Sequence, residues 1–392
     1  MPISAFPAAN PFQILSPAGQ VAAWLTQQAG FFPSGTEALY WAYRGLGVKS
    51  GVVLHLPSYN CGVEVQAALD CGASVECYAT RPDLSHDVDD LERHLRARPG
   101  PVVAIHYFGF PQPELARIAA LCRELQVPWI ADCAHALFSV AAAMPPPAPV
   151  AIYSLHKTLG IFDGGTLQVD QAQLAGYTGQ PFIAPPAGRF YSRPYFAAAK
   201  AIARSLMGEQ LTRLYRRWRF RDGTSPEPVD ASDGATPDGA AHPMFVVDYG
   251  RRMSALSHRL ASSQNAARIA AARRMHYTFL ANSLADTPGF NPVFSHLPAN
   301  VCPLVLPVWV THRERLLAAL QASGIEPFIF GEYAHPAMTS GDEPITPHLR
   351  AHILGLPVHQ LLTAPELEKI SSTLHPLLRH HALEPLGTPA HV

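Results

Sequence analysis

Trp129-Ile130-Ala131-Asp132-Cys133-Ala134-His135-Ala136, then Ile152-Tyr153-Ser154-Leu155-His156-Lys157-Thr158-Leu159-Gly160 with Asp163-Gly164-Gly165, is the stretch whose reading decides the fold. Its first two pieces each open on a short apolar run with no wet face, which is how a strand buried in a parallel sheet reads. In an open α/β sheet, ligands bind at the carboxyl ends of the strands, so Asp132 stands where chemistry is done. Asp132 can equally be a cap on the helix that follows. Lys157 lies just past the second strand. Most lysines are solvated surface charges, but a lysine tucked behind a buried strand is desolvated, which favours the neutral amine needed for covalent chemistry with carbonyls. Gly164-Gly165 permits close backbone approach, or marks only a hairpin turn. Ser154 and His156, one at a time, read as ordinary strand-end residues.

Working outward, residues 31 to 169 alternate β-branched runs with helical patterns, the signature of crossover βαβ units. Strands are expected at Val52–Leu56, Ser74–Tyr78, Val102–His106, Pro128–Ala131, Ala151–Ser154 and Thr166–Val169. Helices are expected at Thr36–Leu46, Gly62–Asp70, Val88–Ala97 and Pro113–Leu125. An Arg-rich stretch from Arg189 to Arg221 follows, read as a solvated or subunit-facing surface rather than an interfacial helix touching lipid or an anionic substrate. Asp222–Pro243 has the composition of a mobile loop. A long helix over Met253–Asp286, a strand at Leu304–Trp309, a helix at His312–Ala322, a strand at Ile325–Phe330 and a helix at Ala364–Leu378 then make a compact α+β lobe. Thr363 and Glu366 form a capping-box pattern before the last helix, and the final dozen residues look frayed. The expected organisation is a large α/β domain over 1–245, with the Arg-rich insertion and loop at about 186–243, and a smaller domain over 246–392.

Composition narrows the function classes. With 29 basic against 30 acidic residues, no global field draws the chain to nucleic acid or an anionic membrane. No apolar run is long enough to span a bilayer and the N-terminus lacks a secretory signal, so a cytoplasmic protein is expected. The six cysteines form no C-x-x-C pair and read as free thiols. Histidines number 19 but form no H-E-x-x-H motif, so no metal site is expected.

Phe31-Phe32-Pro33-Ser34-Gly35-Thr36-Glu37-Ala38-Leu39 sets small polar residues before an amphipathic helix. The free N–H groups of that helix start can grip a phosphate, although Ser or Thr there is more often a plain N-cap. Taken together, a phosphate-competent helix start, an acid at a strand end and, 25 residues later, a lysine before Gly-Gly are three parts of a pyridoxal 5'-phosphate (PLP) site.

The same residues resemble the DegT/DnrJ/EryC1/StrS family of fold-type-I aminotransferases. The resemblance runs in order through Ser34 to Leu39, Leu56-Pro57-Ser58-Tyr59, Gly72-Ala73, Ile105 to Gly109, Asp132 to Ala136, Ser154 to Lys157 and Asp163-Gly164-Gly165. It continues more faintly at Arg252-Met253-Ser254, Gly324-Ile325 and Leu356 to His359. It implies an aspartate-aminotransferase-like large domain, with a mostly parallel sheet between helices, and a small C-terminal α+β domain. It further implies that Gly35, Thr36 and Ser154 hold the cofactor phosphate, Asp132 its pyridine nitrogen and His135 its ring, with Lys157 as the Schiff-base lysine. Two positions depart from the pattern. Cys61 falls where the family usually places an aromatic ring against the cofactor, so that stacking is lost or supplied elsewhere, and Gly250 falls where an Asn reaches the partner subunit's phosphate.

The resemblance thus implies an aminotransferase that moves nitrogen from an amino acid, commonly glutamate, to a carbonyl acceptor such as a keto-sugar, by ping-pong kinetics and as a homodimer with shared active sites. The alternatives are a PLP-dependent sugar dehydratase, which carries histidine in place of the lysine and makes His156 a position to check, and a PLP-binding regulator or scaffold without turnover. A cysteine desulfurase is more distant, because it needs a nucleophilic cysteine on a mobile loop.

Overall fold

The computed structural model describes residues 2–140, 148–178, 247–338 and 345–381, together with positions 182, 188, 189, 194, 195 and 198. The expected mobile loop and nearly all of the Arg-rich stretch lie outside them, as does the chain after residue 381.

In chain order the elements of the first lobe are β1 (Ile3–Ser4), α1 (Gln20–Leu25), β2 (Gly30–Phe32), α2 (Gly35–Gly45), β3 (Val53–Pro57), α3 (Val63–Asp70), β4 (Ser74–Tyr78), α4 (Val88–Ala97), β5 (Val102–Ile105), α5 (Leu115–Glu124), β6 (Trp129–Asp132), α6 (Leu137–Val140), β7 (Val150–Ser154), α7 (Leu155–Thr158), β8 (Gly165–Val169) and α8 (Gln171–Thr178). Seven strands form one sheet in the order β2-β8-β7-β6-β5-β3-β4. The pairings from β4 to β7 are parallel, and β8 and β2 are added antiparallel. The apolar runs are continuous because both faces are covered. Val103, Ile105, Ile130 and Ile152 pack on one side with α2 and α3, while Val102, Ala104, Trp129, Ala131 and Tyr153 pack on the other with α4 and α5. That alternation is the two-residue period of a strand. The strands and helices read from the sequence occur here, with ends moved by one or two residues; β2, three residues long, was not anticipated.

After residue 246, the single helix expected over Met253–Asp286 is two, Ala255–Ser262 and Ala266–Leu284. The break comes where Asn265 leaves the helical conformation and its side chain accepts a hydrogen bond from Arg268 N at 2.9 Å. The lobe continues with β9 (Val305–Trp309), the helix Arg313–Ala322, β10 (Ile325–Glu326), the helix Ile345–His352, β11 (Ile353–Pro357) and the helix Ala364–His381. β11 pairs antiparallel with β9 and was missed in the sequence. The strand expected over Ile325–Phe330 is cut to two residues, since Pro327 has no N–H to donate; beyond it Phe328 makes one bridge to Gly355. Half of the capping box is present: Glu366 Oε2 accepts from Thr363 N and from Thr363 Oγ1, each at 2.8 Å.

Among the contacts that tie the lobes, two involve whole elements. β1 pairs parallel with β10, carrying the N-terminus into the second lobe. Met253, Leu260 and Ala261, which follow the expected boundary at 245/246, pack into the core of the large sheet. Asn265→Ala should lower the unfolding free energy by about 1 kcal/mol, read as a shifted urea midpoint at unchanged slope.

Candidate active site

The carboxyl edge of the sheet gathers the candidates. Parallel pairing sets Asp132, the last residue of β6, opposite Ile152 of β7, so Ser154 and Lys157 follow at the neighbouring strand end. Asp132 is 3% exposed. Its Oδ1 accepts from Ala134 N at 2.9 Å, so one oxygen does cap the turn while the carboxyl group stays buried at the sheet edge. Burial, then the negative charge of Glu64, raises its pKa from 3.8 to about 7, against the Ala134 N–H and the Lys157 cation.

Lys157 lies in the one-turn helix α7, with Nζ 3.1 Å from His135 Nε2 and 5.8 Å from the ring centroid of Phe328. His135 is buried, and desolvation followed by the Lys157 charge pushes its imidazole well below its usual value, leaving a neutral ring. That ring stacks at 21° on Phe108, with centroids 5.9 Å apart. His156 faces the other way, its Nδ1 3.2 Å from Gly164 O and 3.4 Å from Ser154 Oγ. The side chain that meets His135 is therefore Lys157 and not its neighbour.

At the helix start, Ser34 Oγ accepts from Thr36 N at 3.2 Å and its hydroxyl bonds the Glu37 carboxylate, so the N-cap reading of this motif is realised. The same turn also meets the strand end, because a Cβ on Gly35 would stand 3.4 Å from Ser154 Cβ. Gly164 and Gly165 make this possible. Gly164 N donates to Pro33 O at 2.6 Å, and a Cβ on Gly165 would lie 1.9 Å from Ser34 O. The pair serves close approach of two backbones rather than a hairpin.

Cys61 is engaged by Glu64, to whose carboxylate oxygens its Sγ lies at 3.1 and 3.2 Å. Burial and then the Glu64 charge push its thiol well above the usual value, the opposite of an activated nucleophile. The aromatic ring that approaches Lys157 comes instead from the second lobe. Phe328 and Phe330 stand edge-on to His135, at centroid distances of 5.4 and 4.8 Å.

Sequence reasoning missed Glu64, Phe328 and Arg273. Arg273 is fully buried on the helix Ala266–Leu284 and, among the described residues, has carbonyl rather than carboxylate partners. Its guanidinium donates to Leu304 O at 2.9 Å, Thr158 O at 3.0 Å and Pro303 O at 3.2 Å, and its Nε to Gln360 Oε1 at 2.9 Å. It thus fastens the end of the Lys157 helix to the second lobe, and a lone arginine in an alanine-rich helix gave no signal of that. A cavity of about 960 Å³ lies elsewhere, among Trp41, Arg189, Tyr249, Arg251 and His258.

Residues 22–178 match the model of the DegT/DnrJ/EryC1/StrS aminotransferase family. Over 147 residues the chain is 32% identical to UDP-4-amino-4,6-dideoxy-N-acetyl-beta-L-altrosamine transaminase of Campylobacter jejuni, covering 36% of this chain and 39% of that protein. The chain thus spans about two fifths of the length of this curated relative. Its fold is that of solved PLP aminotransferases. Helicobacter pylori PseC, an aminotransferase involved in pseudoaminic acid biosynthesis, superposes with a TM-score of 0.66 over 97% of this chain and all of that one, at 15% identity. A putative sugar aminotransferase from Streptococcus pneumoniae, solved in its PMP form, gives a TM-score of 0.63 over 97% and 98%, also at 15% identity.

Two outcomes follow from this geometry. Arg273→Met leaves several buried carbonyls unsatisfied and should cost about 3 kcal/mol in urea unfolding. For Asp132 the folded pKa is raised, so between pH 3.8 and about 7 the native state holds a proton that the unfolded state has lost, and stability falls as pH rises through that window. Buried His86, His106, His156 and His359, lowered by desolvation to about 3, 4, 4 and 4, act in the opposite sense up to 6.5. The difference between cofactor-free Asp132→Asn and wild type isolates the carboxylate: the variant should gain stability relative to wild type from about pH 4 to about pH 7, then level off.

Proposed function

We propose that this chain, which matches the DegT/DnrJ/EryC1/StrS aminotransferase family over residues 22–178, is a PLP-dependent aminotransferase. The observation that carries the reading is the convergence of Lys157, His135 and Asp132 at two neighbouring strand ends, with a helix start and Ser154 meeting beside them. These residues fit the cofactor. Asp132 is a buried carboxyl group with a raised pKa, which an adjacent cation would stabilise as an anion, and a protonated pyridine nitrogen supplies one. The helix start and the Ser154 hydroxyl offer hydrogen-bond donors to a phosphate.

In this reading Lys157 would hold the cofactor's aldehyde carbon, Asp132 its ring nitrogen, His135 its ring face, and Gly35, Thr36 and Ser154 its phosphate. Cys61 would lie at its margin without stacking. The bound cofactor supplies an electron sink that makes the α-proton of an amino acid labile. Asp132 keeps a proton on the ring nitrogen by remaining anionic beside it. Lys157 Nζ takes the donor's α-proton and later returns one to the carbon of the acceptor. His135, being neutral, adds no charge beside Lys157 and leaves that amine free to move the proton. Phe328 and Phe330 limit water around it.

The acceptor we propose is the carbonyl of a keto-sugar or a related biosynthetic intermediate, and the donor glutamate, in keeping with the transaminase relative. A homodimer with shared active sites and a cytoplasmic location belong to the same proposal. Among the described residues no helix is long and apolar enough to cross a membrane. The test is the visible absorbance of the protein with added PLP. Wild type should bind the cofactor covalently and change spectrum on addition of L-glutamate, whereas Lys157→Ala should show neither and lose at least about 10²–10⁴-fold in amino-transfer rate. Bound cofactor that no amino acid converts would favour the regulator reading, and a Lys157→Ala protein as active as wild type would overturn the assignment.

A further inference from the structure

We propose that His55, Glu76 and His94 form a binding site for one divalent cation of the zinc class, on the β3–β4 side of the sheet and separate from the Lys157 site. Reading the sequence for neighbouring ligand pairs gave no metal site. This cluster escapes that search because its members come from β3, β4 and α4. His55 Nδ1, one Glu76 oxygen and one His94 nitrogen lie within 4.8 Å of one another. Glu76 Oε2 is 3.4 Å from His94 Nδ1 and 4.0 Å from His55 Nδ1. Ligand atoms around a tetrahedral zinc stand roughly 3.3 Å apart, given metal–ligand bonds of about 2.0–2.2 Å, so the Glu76–His94 pair is already at ligand spacing and side-chain movements of up to about 1.5 Å bring in His55.

The decisive observation is the orphan nitrogen of His55. This side chain is fully buried, and Nδ1 has no hydrogen-bond partner. Its Nε2 lies 2.8 Å from Arg98 O, an acceptor, so the ring proton is on Nε2 and Nδ1 presents a lone pair. A lone pair thus faces a carboxylate oxygen with no proton between them, an arrangement that a cation relieves and that water-filled burial does not explain at a fully enclosed nitrogen. Two other buried histidines also carry an orphan nitrogen, but with the opposite polarity. His86 Nε2 accepts from Ile105 N and His106 Nδ1 accepts from Gln112 N, which leaves each with an unsatisfied N–H. Of these three, His55 alone is left as a ligand.

The other two ligands are oriented from behind, as metal ligands usually are. Glu76 Oε1 accepts from Arg98 Nη1 at 2.5 Å, which turns Oε2 toward the histidines. His94 Nε2 lies 3.6 Å from Asp90 Oδ1, a carboxylate–histidine pair that directs Nδ1 to the centre. Two imidazoles and a carboxylate suit zinc and its neighbours rather than calcium or magnesium. With His94 and Glu76 side chains 30% and 25% exposed, the site opens to solvent, from which a water completes the coordination. The competing arrangement is a doubly protonated His94 bridging Glu76 and Asp90 with no metal; it leaves the His55 lone pair unanswered.

The experiment uses the full-length, tag-free protein, stripped with a chelator, desalted, and titrated with Zn²⁺ by calorimetry, with Co²⁺ absorbance as a second probe of coordination. One Zn²⁺ per chain should bind to wild type, and His94→Ala and Glu76→Gln should each weaken that binding at least tenfold. The far-UV circular dichroism and urea midpoint of each variant verify that it is folded, and the two substitutions, both on partly exposed side chains, check one another. Absence of Zn²⁺ binding by wild type, or binding by both folded variants equal to that of wild type, overturns the proposal; the second result assigns the metal to other histidines.

Discussion

Parallel pairing of β6 with β7, in the register that sets Asp132 against Ile152, is the constraint on which the rest of the site depends. Strand spacing is fixed by backbone hydrogen bonds at about 4.8 Å, so adjacent strand ends deliver their next residues side by side with little freedom. Asp132 thereby emerges beside Ser154, and one turn of α7 is enough to swing Lys157 back toward His135. A slip of one residue would turn every side chain of the strand to the opposite face, and the alternation of Ile130 and Ala131 between two cores forbids it. The core therefore fixes the register, and the register fixes the chemistry.

The electrostatics of the edge run against stability. Two carboxyl groups, Asp132 and Glu64, are buried near one lysine, and the first is pushed toward neutrality by desolvation and by the second. A protein without a cationic ligand at Asp132 would be better served by an apolar residue there. Lys157 and the Ala134 N–H offset this acidity only in part, so a positive charge brought to Asp132 would stabilise its anion. Glu64 also explains the behaviour of Cys61. Its carboxylate takes the thiol as a hydrogen-bond partner and suppresses the thiolate, so this position is a quiet, polar wall.

What the sequence reveals, and what it hides, follows from the range of the interactions. Strands such as Ser74–Tyr78 and helices such as Val88–Ala97 are legible because their periodicity is local. Asp132, His135, Ser154 and Lys157 are legible because each lies within a few residues of a strand end whose apolar run announces it. β11 was missed because Ile353–Pro357 contains a glycine and a proline, which argue against a strand unless the partner β9 is known. Periodicity predicts one helix over Met253–Asp286 because Asn265 acts through its side chain, which periodicity does not register. Phe328, Glu64 and Arg273 were invisible for a different reason: each is defined by a contact with a residue dozens of positions away or on another element.

Arg273 and Arg350 show how the two lobes are made to act as one. Arg273 grips the backbone of Thr158 from a helix of the second lobe, and Arg350 grips the loop that follows β3, donating to Asn60 O at 2.8 Å and Ser58 O at 3.1 Å as well as to Gly331 O at 2.5 Å. Both guanidiniums are partly or wholly buried, and desolvation lowers both pKa values. Carbonyl oxygens answer them instead of carboxylates. Five N–H donors in a rigid fork can satisfy several carbonyls at once, which a lysine ammonium cannot do with the same geometry. One clamp holds the segment that bears Lys157, and the other holds the segment that bears Cys61. An opening of the lobes at either place would leave buried carbonyls and a buried cation without partners, a cost of several hydrogen bonds to a charged group. The walls at Lys157 and at Cys61 are therefore rigid parts of one frame, and adjustment to a substrate falls to surfaces that neither arginine touches.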